Sequence, residues 1–308
     1  MVDKRPFAHR PQHPTISPMS TNTKSVVRLG LVSDTHMPER LVALPDGLFT
    51  ALTGVDLMLH AGDVGALWVL DKLSAIAPVV AVHGNDDTVE AQRELPFQQL
   101  VTVAGRRILL WHSHYPDRTE ELASRVGDGL RPKLQRSVAQ AQRAGAEIVV
   151  FGHWHIPLVY RHEGVLVINP GALASGNFVM RQLMQTVAIL EVGMGGETAV
   201  YHIDLASPMK SFDPDIDFDA GFVAAANRFQ MSILSPDLLG VWPSLGGKLF
   251  DLAPAAMREI FGEVAHVVWA GKRPFMTKEM VKTAVVASDK LNTATRQQVI
   301  TLLAEEGD

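Results

Sequence analysis

The chain has 308 residues, 47% of them hydrophobic and 20% charged, so it can fill the core of one large domain or of a domain with a smaller partner. Its formal net charge of -5 argues against binding nucleic acid or an anionic membrane by charge alone, although a local basic patch is not excluded. The absence of cysteine excludes disulfides, thiolate metal sites and cysteine nucleophiles. Any metal ion must therefore be held by His, Asp, Glu or Asn.

The first 25 residues are basic and rich in Pro, Ser and Thr, and they lack the apolar segment of a secretory signal. We predict that residues 1–25 form a disordered tail. No run in the sequence approaches the roughly 18 apolar residues that are needed to cross a bilayer. These features favour a cytoplasmic protein that has no membrane partner.

Strand and helix patterns alternate in the part of the chain that follows the tail. Short apolar runs predict strands at 26–32, 55–60 and 79–83, and helical stretches lie between them at 41–52 and 67–77. This order is typical of parallel strands joined by right-handed crossovers.

The later patterns predict antiparallel pairs. Residues 100–111 form two short strands around an Ala-Gly-Arg turn, which indicates a hairpin. An Arg-rich amphipathic stretch at 117–145 separates it from a buried strand at 147–151, and two further hairpins follow at 158–169 and 186–205. Two sheets with helices outside both would reconcile the parallel and antiparallel patterns.

The composition changes at about residue 205. An acidic, Pro-containing linker follows, and beyond it helical patterns appear at 222–230, 254–262, 277–288 and 293–306. We therefore predict a tail at 1–25, an α/β domain at 26–205 and a helical C-terminal region at 206–308.

The most informative pattern occurs at five strand ends, where an apolar run stops at residues that can bind a metal ion. In chain order these residues are Asp34 and His36, Asp63, Asn85, His112, and His153 with His155. Each motif alone has an ordinary explanation, such as a helix-capping Asp, a Gly-Asp turn or a hydrogen-bonded loop histidine. Their repetition predicts a site, because ligands collect at the carboxyl ends of strands in open α/β sheets.

This set of residues suits a pair of metal ions. Two divalent ions about 3.5–4 Å apart can clamp a phosphate and generate hydroxide near neutral pH. A bridging carboxylate is needed to hold two cations so close together, and Asp63 is the central candidate. Imidazoles suit the outer positions, and Asn85 adds an oxygen ligand without a negative charge that would repel a phosphate.

The motif order D-x-H, G-D, G-N-D, H and G-H-x-H, with the details HAGD, VHGND, GHWH and INPGA, resembles the calcineurin-like metallophosphoesterase superfamily, most closely its small bacterial and archaeal phosphodiesterase branch. The resemblance covers about residues 26 to 205. It implies an α/β fold, the αββα four-layer sandwich, and two divalent metal ions, usually Mn, with Fe, Zn, Co or Ni as alternatives. Residue by residue, it implies that Asp34, His36 and His155 bind one ion, that Asn85, His112 and His153 bind the second, and that Asp63 bridges them.

One departure from the family pattern concerns the general acid. Asp86 stands where phosphomonoesterases of the family often have a His that protonates the leaving group. An ionised carboxylate beside a phosphate is repulsive and cannot donate a proton, so we predict a preference for diesters or activated leaving groups over alkyl monoesters. His114 is the obvious substitute acid, and a hydrogen-bonded position beside the ligands is its ordinary alternative. Asp63, Asn85 and His114 are thus the candidate catalytic residues.

Two further expectations concern the substrate and the C-terminal region. Arg118, in the Arg-rich stretch, is a candidate contact to the substrate phosphate, with a solvated helix face as the ordinary alternative. We expect residues 206–308, which the resemblance does not cover, to pack on the sandwich or to pair subunits into a homo-oligomer. A lid that limits substrate size and a protein-docking module are the other interpretations.

The main hypothesis is a dinuclear metal-dependent phosphodiesterase that acts on a small phosphodiester by metal-activated hydroxide. The alternatives within enzymes are a nuclease and a cyclic-nucleotide phosphodiesterase. A nuclease should have a basic, aromatic-lined groove, of which this acidic chain gives little sign. The rival from another class is a non-catalytic scaffold, like the retromer subunit with this fold. In that subunit the ligands are altered, whereas here every ligand position is filled.

Overall fold

The computed structural model describes residues 25–124 and 126–305, without the side chains of Arg118 and Glu305. The predicted tail therefore lies, apart from Ser25, outside the described residues. None of the helices in these ranges is long and apolar enough to cross a membrane. The cytoplasmic location stays a prediction.

The first half of the chain alternates strands and helices, and the second half begins with strands and ends with helices. The elements up to residue 151 are β1 (Val26–Val32), α1 (Asp46–Ala51), β2 (Leu57–His60), α2 (Trp68–Ser74), β3 (Val79–Ala81), α3 (Val89–Glu94), β4 (Gln98–Val103), β5 (Arg106–Trp111), α4 (Arg118–Ser124), α5 (Leu130–Arg143) and β6 (Ile148–Phe151). The remaining elements are β7 (Leu158–His162), β8 (Val165–Asn169), β9 (Met180–Gln182), β10 (Thr186–Gly193), β11 (Thr198–Asp204), β12 (Ser211–Phe212), α6 (Phe222–Asn227), β13 (Gln230–Ser232), α7 (Pro236–Leu252), α8 (Pro254–Trp269), α9 (Lys278–Ala287) and α10 (Thr293–Glu305).

Two mixed sheets form the centre of the molecule. The first has the strand order β12-β11-β10-β1-β2-β3, and the second has the order β4-β5-β6-β8-β7. The strands β1, β2 and β3 are parallel to one another, and β5, β6 and β8 are parallel in the other sheet. The strands β10 and β4 are antiparallel to their neighbours β1 and β5, which agrees with the predicted change of pattern along the chain.

Alternation of side chains along the strands builds the four layers. Leu29 and Leu31 of β1 pack against Ile108 and Leu110 of β5 in a core between the two sheets. The intervening positions face outwards, so that Val32 packs in one outer core with residues of α1 and α2. On the other side, residues of β5 and β6 pack with α5 and α6 in a second outer core. The αββα sandwich is confirmed.

The C-terminal region has its own apolar core and also contacts the sandwich. The helices α7 to α10 pack around buried residues such as Leu249 and Phe261. Strand β13 pairs with β9, and the indole N–H of Trp269 donates to the carbonyl oxygen of Met180 at 2.8 Å. Pairing of subunits through these helices stays a prediction, as does the domain boundary at residue 205, beyond which β12 still extends the first sheet.

Several predicted elements differ from the observed ones. The amphipathic stretch 117–145 contains two helices, α4 and α5. The predicted helix 222–230 ends at residue 227, and residue 230 begins β13; α8 continues seven residues beyond its predicted end at 262. The 17-residue helix α7 was missing from the prediction because glycines and a proline interrupt its pattern. It forms nevertheless because its apolar side chains, among them Leu238 and Leu245, are buried in the C-terminal core.

A buried histidine makes the stability of the sandwich sensitive to acid. His202 of β11 lies 1% exposed, and its Nε2 donates to the carbonyl oxygen of Asn169 at 2.8 Å. Burial disfavours the charged imidazole and lowers the pKa of His202 from 6.5 to about 4. Between these two pH values His202 is protonated in the unfolded chain but neutral in the folded chain. The free energy of unfolding therefore decreases as the pH falls from 6.5 towards 4.

We expect the substitution His202→Gln to reduce this acid sensitivity. A glutamine amide can still donate to Asn169 but does not titrate, so the variant should lose roughly 2–3 kcal/mol less stability than the parent between pH 7 and pH 4. Urea unfolding at several pH values, with metal removed by a chelator, measures the difference. His162→Gln, at a side chain that is 37% exposed, is the matched control. An unchanged pH dependence in His202→Gln would contradict the assignment.

Candidate metal centre

The candidate ligands follow the carboxyl ends of five strands that come from both sheets. Strands β1, β2 and β3 deliver the ligands of the first sheet, and β5 and β6 deliver those of the second. Hydrogen bonds join the first two loops: the amide of Asp34 donates to Gly62 O at 3.0 Å, and the amide of His36 donates to Asp63 O at 2.9 Å. The edges of the two sheets thus meet at one site.

A first ligand group consists of Asp34, His36 and His155. One donor atom from each of them lies within 4.8 Å of the others. The Nε2 atom of His155 is 3.2 Å from Asp34 Oδ1 and 3.4 Å from Nε2 of His36. All three side chains are buried.

A second ligand group consists of Asp63, His112 and His153, whose donor atoms also lie within 4.8 Å of one another. The Nε2 atom of His112 is 3.1 Å from Asp63 Oδ2. The Nδ1 atom of His112 lies 2.8 Å from the carbonyl oxygen of Ala61, to which it can donate only as N–H. This contact leaves Nε2 facing the carboxylate, where a metal ion would displace any proton that it carries.

The two groups lie side by side. Asp63 Oδ2 is 3.6 Å from His36 Nε2 of the first group, and His112 Nε2 is 4.0 Å from Asp34 Oδ1. Asp63 therefore stands between the groups, where the sequence places a bridging carboxylate. Ligation of a metal by these residues stays a prediction.

Asn85 and Asp86 follow β3. Asn85 is exposed, and no contact of its side chain joins it to either group in the described structure, so its role as a ligand stays a prediction. Asp86 instead forms a third group with His36 and Asp63. Its amide donates to Asp63 Oδ1 at 2.8 Å, which fixes the carboxylate of Asp63 from the side of β3.

Two arginines hold the carboxylate of Asp86. Arg40, whose side chain is 1% exposed, donates to Oδ2 at 2.6 Å, and Arg258 of α8 lies 3.2 Å from Oδ1. Burial by itself raises the pKa of Asp86, but Arg40 outweighs it and lowers the pKa below its usual range. The C-terminal region therefore reaches the position at which the sequence departs from the family pattern.

The buried carboxylates of Asp34 and Asp63 carry negative charge that cations can neutralise. Burial alone would raise the pKa values of Asp34 and Asp63, but the neighbouring histidines lower both well below their usual range. Burial likewise lowers the pKa of His112, yet Asp63 and Asp34 outweigh it and raise that pKa to about 10. In the ion-free chain a protonated histidine thus neutralises charge that divalent ions would neutralise in the loaded one.

The backbone around the site is strained at the ligands themselves. The φ angles of Asp34, His36, Asp63, His153 and His155 are 54°, 48°, 53°, 71° and 58°. Residues other than glycine rarely adopt this left-handed conformation, which costs about 1–3 kcal/mol each. Such strain is concentrated at binding sites, and here it directs the side chains of three different loops into one space.

The glycines of the three motifs are required by close packing. A Cβ on Gly84 would lie 2.1 Å from Asp63 Oδ1, and one on Gly152 would lie 2.6 Å from Ala61 O and 2.9 Å from Asp34 Oδ2. A Cβ on Gly62 would lie 2.7 Å from the ring of His112. The G-D, G-N-D and G-H-x-H motifs therefore carry glycine because a side chain would occupy the ligand positions.

Asn169 supports the loop that carries His153 and His155. Its Nδ2 donates to Gly152 O at 3.0 Å, and its Oδ1 accepts from the amide of Gly171 at 2.9 Å. The INPGA segment thus positions the G-H-x-H loop through backbone contacts.

His114 lies beside the second group, in ring contact with His112 and His153. Burial, together with the smaller effects of His112 and His153, lowers the pKa of His114 to about 3. A neutral imidazole is a weak proton donor, so the geometry adds no support for His114 as the general acid, and that role stays a prediction. Arg118 begins α4, but its side chain lies outside the described part of the structure.

Glu121 of α4 is a site residue that the sequence did not reveal. Its Oε1 lies 3.1 Å from Nε2 of His153, and its Oε2 accepts from the amide of Tyr115 at 3.0 Å. A carboxylate on the second ring nitrogen of a histidine fixes the ring and strengthens the first nitrogen as a metal ligand. No known sequence motif relates Glu121 to the histidines at 112 and 114. The contact with His153 becomes visible only once α4 is packed on the site.

We expect Glu121→Gln to weaken metal binding by about 10–100-fold, because an amide holds His153 less firmly and does not increase its basicity. Competition with a fluorescent chelator measures the affinity. Glu120→Gln, at the exposed neighbouring position, is the matched control. Equal affinities for the two variants would exclude a role of Glu121 at the ligand.

The residues present fit a pair of divalent ions. The donors are imidazoles and carboxylates, which suit Mn, Fe and Zn. Within the described residues, the buried Nε2 of His112 has no hydrogen-bond partner, although it faces Asp63. An ion between these two side chains would satisfy the nitrogen.

Comparisons with known proteins identify a family of phosphoesterases. The Calcineurin-like phosphoesterase superfamily domain matches residues 27–195, more than half of the chain. A probable metallophosphoesterase of Methanothermobacter thermautotrophicus is 32% identical over 145 residues, which are 47% of this chain and 76% of the relative. A probable metallophosphoesterase of Methanocaldococcus jannaschii is 30% identical over 159 residues, which are 51% of this chain and 73% of the relative.

Among solved structures, vacuolar protein sorting 29 from Cryptosporidium parvum is similar, with a TM-score of 0.44 and 18% identity over 58% of this chain and 97% of that one. The family match covers the segment that carries the candidate ligands. The chain belongs to the calcineurin-like phosphoesterase superfamily.

Proposed function

We propose that this metallophosphoesterase is a dinuclear phosphodiesterase that acts on a small phosphodiester and works best with Mn. The observation that carries the proposal is the adjacency of two buried ligand groups with Asp63 between them. When bound, two ions supply a nucleophile at neutral pH and neutralise the charge of the phosphate. A scaffold protein has no need to bury and strain so many ionisable side chains at one point.

The side chains around the centre orient the ligand atoms and determine whether a proton donor is present. His112 and His155 direct their Nε2 atoms towards the carboxylates of Asp63 and Asp34, so that each pair could hold an ion between them. Arg40 and Arg258 occupy the two oxygens of Asp86, so this side chain offers no proton to a leaving group. Substrates whose leaving group departs without protonation are therefore favoured, which is the basis for placing diesters with activated leaving groups above alkyl monoesters.

Elemental analysis followed by a substrate panel tests the proposal. The full-length chain should retain about two ions after dialysis, and Mn should give the highest activity. Bis-p-nitrophenyl phosphate should be hydrolysed faster than an alkyl monoester, and a cyclic nucleotide extends the panel to the enzyme alternatives. Faster hydrolysis of the alkyl monoester would contradict the diester preference, and the absence of hydrolysis with every metal would contradict the enzyme.

A further inference from the structure

A cavity of about 790 Å³ adjoins the metal centre and has no part in the chemistry described above. Its lining includes His153 and His155, so the cavity is continuous with both ligand groups. Pockets that hold a small organic ligand have volumes of about 300–1,000 Å³. The cavity is therefore large enough for an ester group of the substrate in addition to its phosphate.

The C-terminal region forms one wall of this cavity. Phe222, Val223 and Ala226 of α6 line it opposite residues 126–129, which precede α5. Two hydrogen bonds to Asp128 join the walls. The amide of Phe222 donates to the carbonyl oxygen of Asp128 at 2.6 Å, and the amide of Val223 donates to its Oδ1 at 2.8 Å. The wall is thus a fixed part of the site and not a separate layer.

Three aromatic side chains line the cavity: Tyr115, Trp154 and Phe222. The ring of Trp154 meets Phe222 edge to face at 5.4 Å and is supported from the core by Phe151 at 4.8 Å. Gln230 of β13 donates to the carbonyl oxygen of Trp154 at 3.1 Å. These contacts hold the aromatic faces rigidly, which favours a planar apolar ligand that stacks or packs against them.

Two cations add a charge preference. Arg136 lies 3.6 Å from the centre of the Tyr115 ring and donates to the carbonyl oxygens of Ser113 and His114. Lys133 lies 5.5 Å from the centre of the Phe222 ring. The basic groups on the aromatic wall favour electron-rich rings and anionic esters.

We propose that this cavity binds a planar aromatic ester group of the substrate, such as a nucleobase or an aryl ring. The C-terminal region thereby takes part in selecting the substrate class. The inference rests on the proposed phosphoesterase function, because the phosphate must sit at His153 and His155 for its ester group to enter the cavity.

Filling the cavity from α6 tests the proposal. Ala226→Trp places an indole in the cavity, whereas Ala224→Trp places the same indole on the exposed side of the same helix. Calorimetry on the Mn-loaded full-length chain compares adenosine 5′-monophosphate with ribose 5-phosphate, which lacks the base. The parent should bind the nucleotide about tenfold more tightly, the contribution expected of a stacked base. Ala226→Trp should remove that difference and leave the affinity for ribose 5-phosphate unchanged, while Ala224→Trp should keep it.

Equal binding of the two ligands by the parent, or equal behaviour of the two tryptophan variants, would overturn the proposal. Circular dichroism checks that Ala226→Trp folds, and Phe222→Leu, which removes one aromatic wall, is the second variant if it does not. Hydrolysis of bis-p-nitrophenyl phosphate separates the two proposals. If the parent prefers the nucleotide but hydrolyses no ester with any metal, the phosphodiesterase fails and the cavity assignment stands. If it hydrolyses the diester but shows no preference for the base, the cavity assignment fails.

Discussion

The substitution Asp63→Asn should abolish hydrolysis and leave the chain unable to hold two metal ions. The carboxylate of Asp63 lies 3.1 Å from Nε2 of His112 and 3.6 Å from Nε2 of His36, so it adjoins a histidine of each ligand group. An amide has one oxygen and carries no charge, and it cannot bridge two cations. We expect kcat/KM to fall by more than about 1000-fold, well beyond the 10–100-fold that the loss of a partner outside the ligands costs.

Two measurements on the same preparations check this result. Elemental analysis should show a fall from about two ions per chain to one or fewer, and hydrolysis of bis-p-nitrophenyl phosphate should follow it. Asp71→Asn, on the exposed side of α2, removes the same charge away from the site and should behave like the parent. A fully active Asp63→Asn protein would show that the carboxylate does not hold the ions, and the dinuclear proposal would be wrong.

The substitution Gly84→Ala should damage folding and metal binding together. The added Cβ would lie 2.1 Å from Asp63 Oδ1 and 2.6 Å from the amide nitrogen of Asp63. The turn cannot move away easily, because the amide of Gly84 donates to Asp87 Oδ2 at 2.6 Å and the other oxygen of Asp87 accepts from Gly65. We expect a loss of about 4 kcal/mol or more in the free energy of unfolding, a size that is exceptional for one substitution.

Urea unfolding of the metal-free protein gives the stability, and chelator competition gives the metal affinity. The control is Gly247→Ala in α7, where no atom lies within 4 Å of the added Cβ. An alanine within a helix should stabilise the chain by about 0.5–1 kcal/mol. Were Gly84→Ala to match the parent in both measurements, the G-N-D turn would be free to relax and the packing argument for this glycine would not hold.

The location of the site could be predicted because strand patterns and ligand motifs are local signals. Six of the seven predicted ligands lie in the two groups, and each follows a short apolar run that ends in a turn. Asn85 follows β3 in the same way, and its role as a ligand stays a prediction. The strands could also be predicted, because apolar runs of about 4–8 residues that end at turn signals are too short for typical helices, and the order of the four layers followed from the family resemblance.

The surroundings of the ligands could not be predicted in this way. Arg258 reaches Asp86 across 172 positions of sequence, and Glu121 reaches His153 across 32. Neither contact follows from a local pattern, because each depends on how a helix docks on the sandwich. Tertiary packing also decides α7, in which Pro243 and three glycines contradict helix propensity but the buried face outweighs them.

The pairing of β1 has a consequence for how the protein matures. Its antiparallel partner is β10, at residues 186–193, which comes after the last candidate ligand in the chain. During synthesis from the amino terminus, every ligand has therefore been made before the first sheet can be completed.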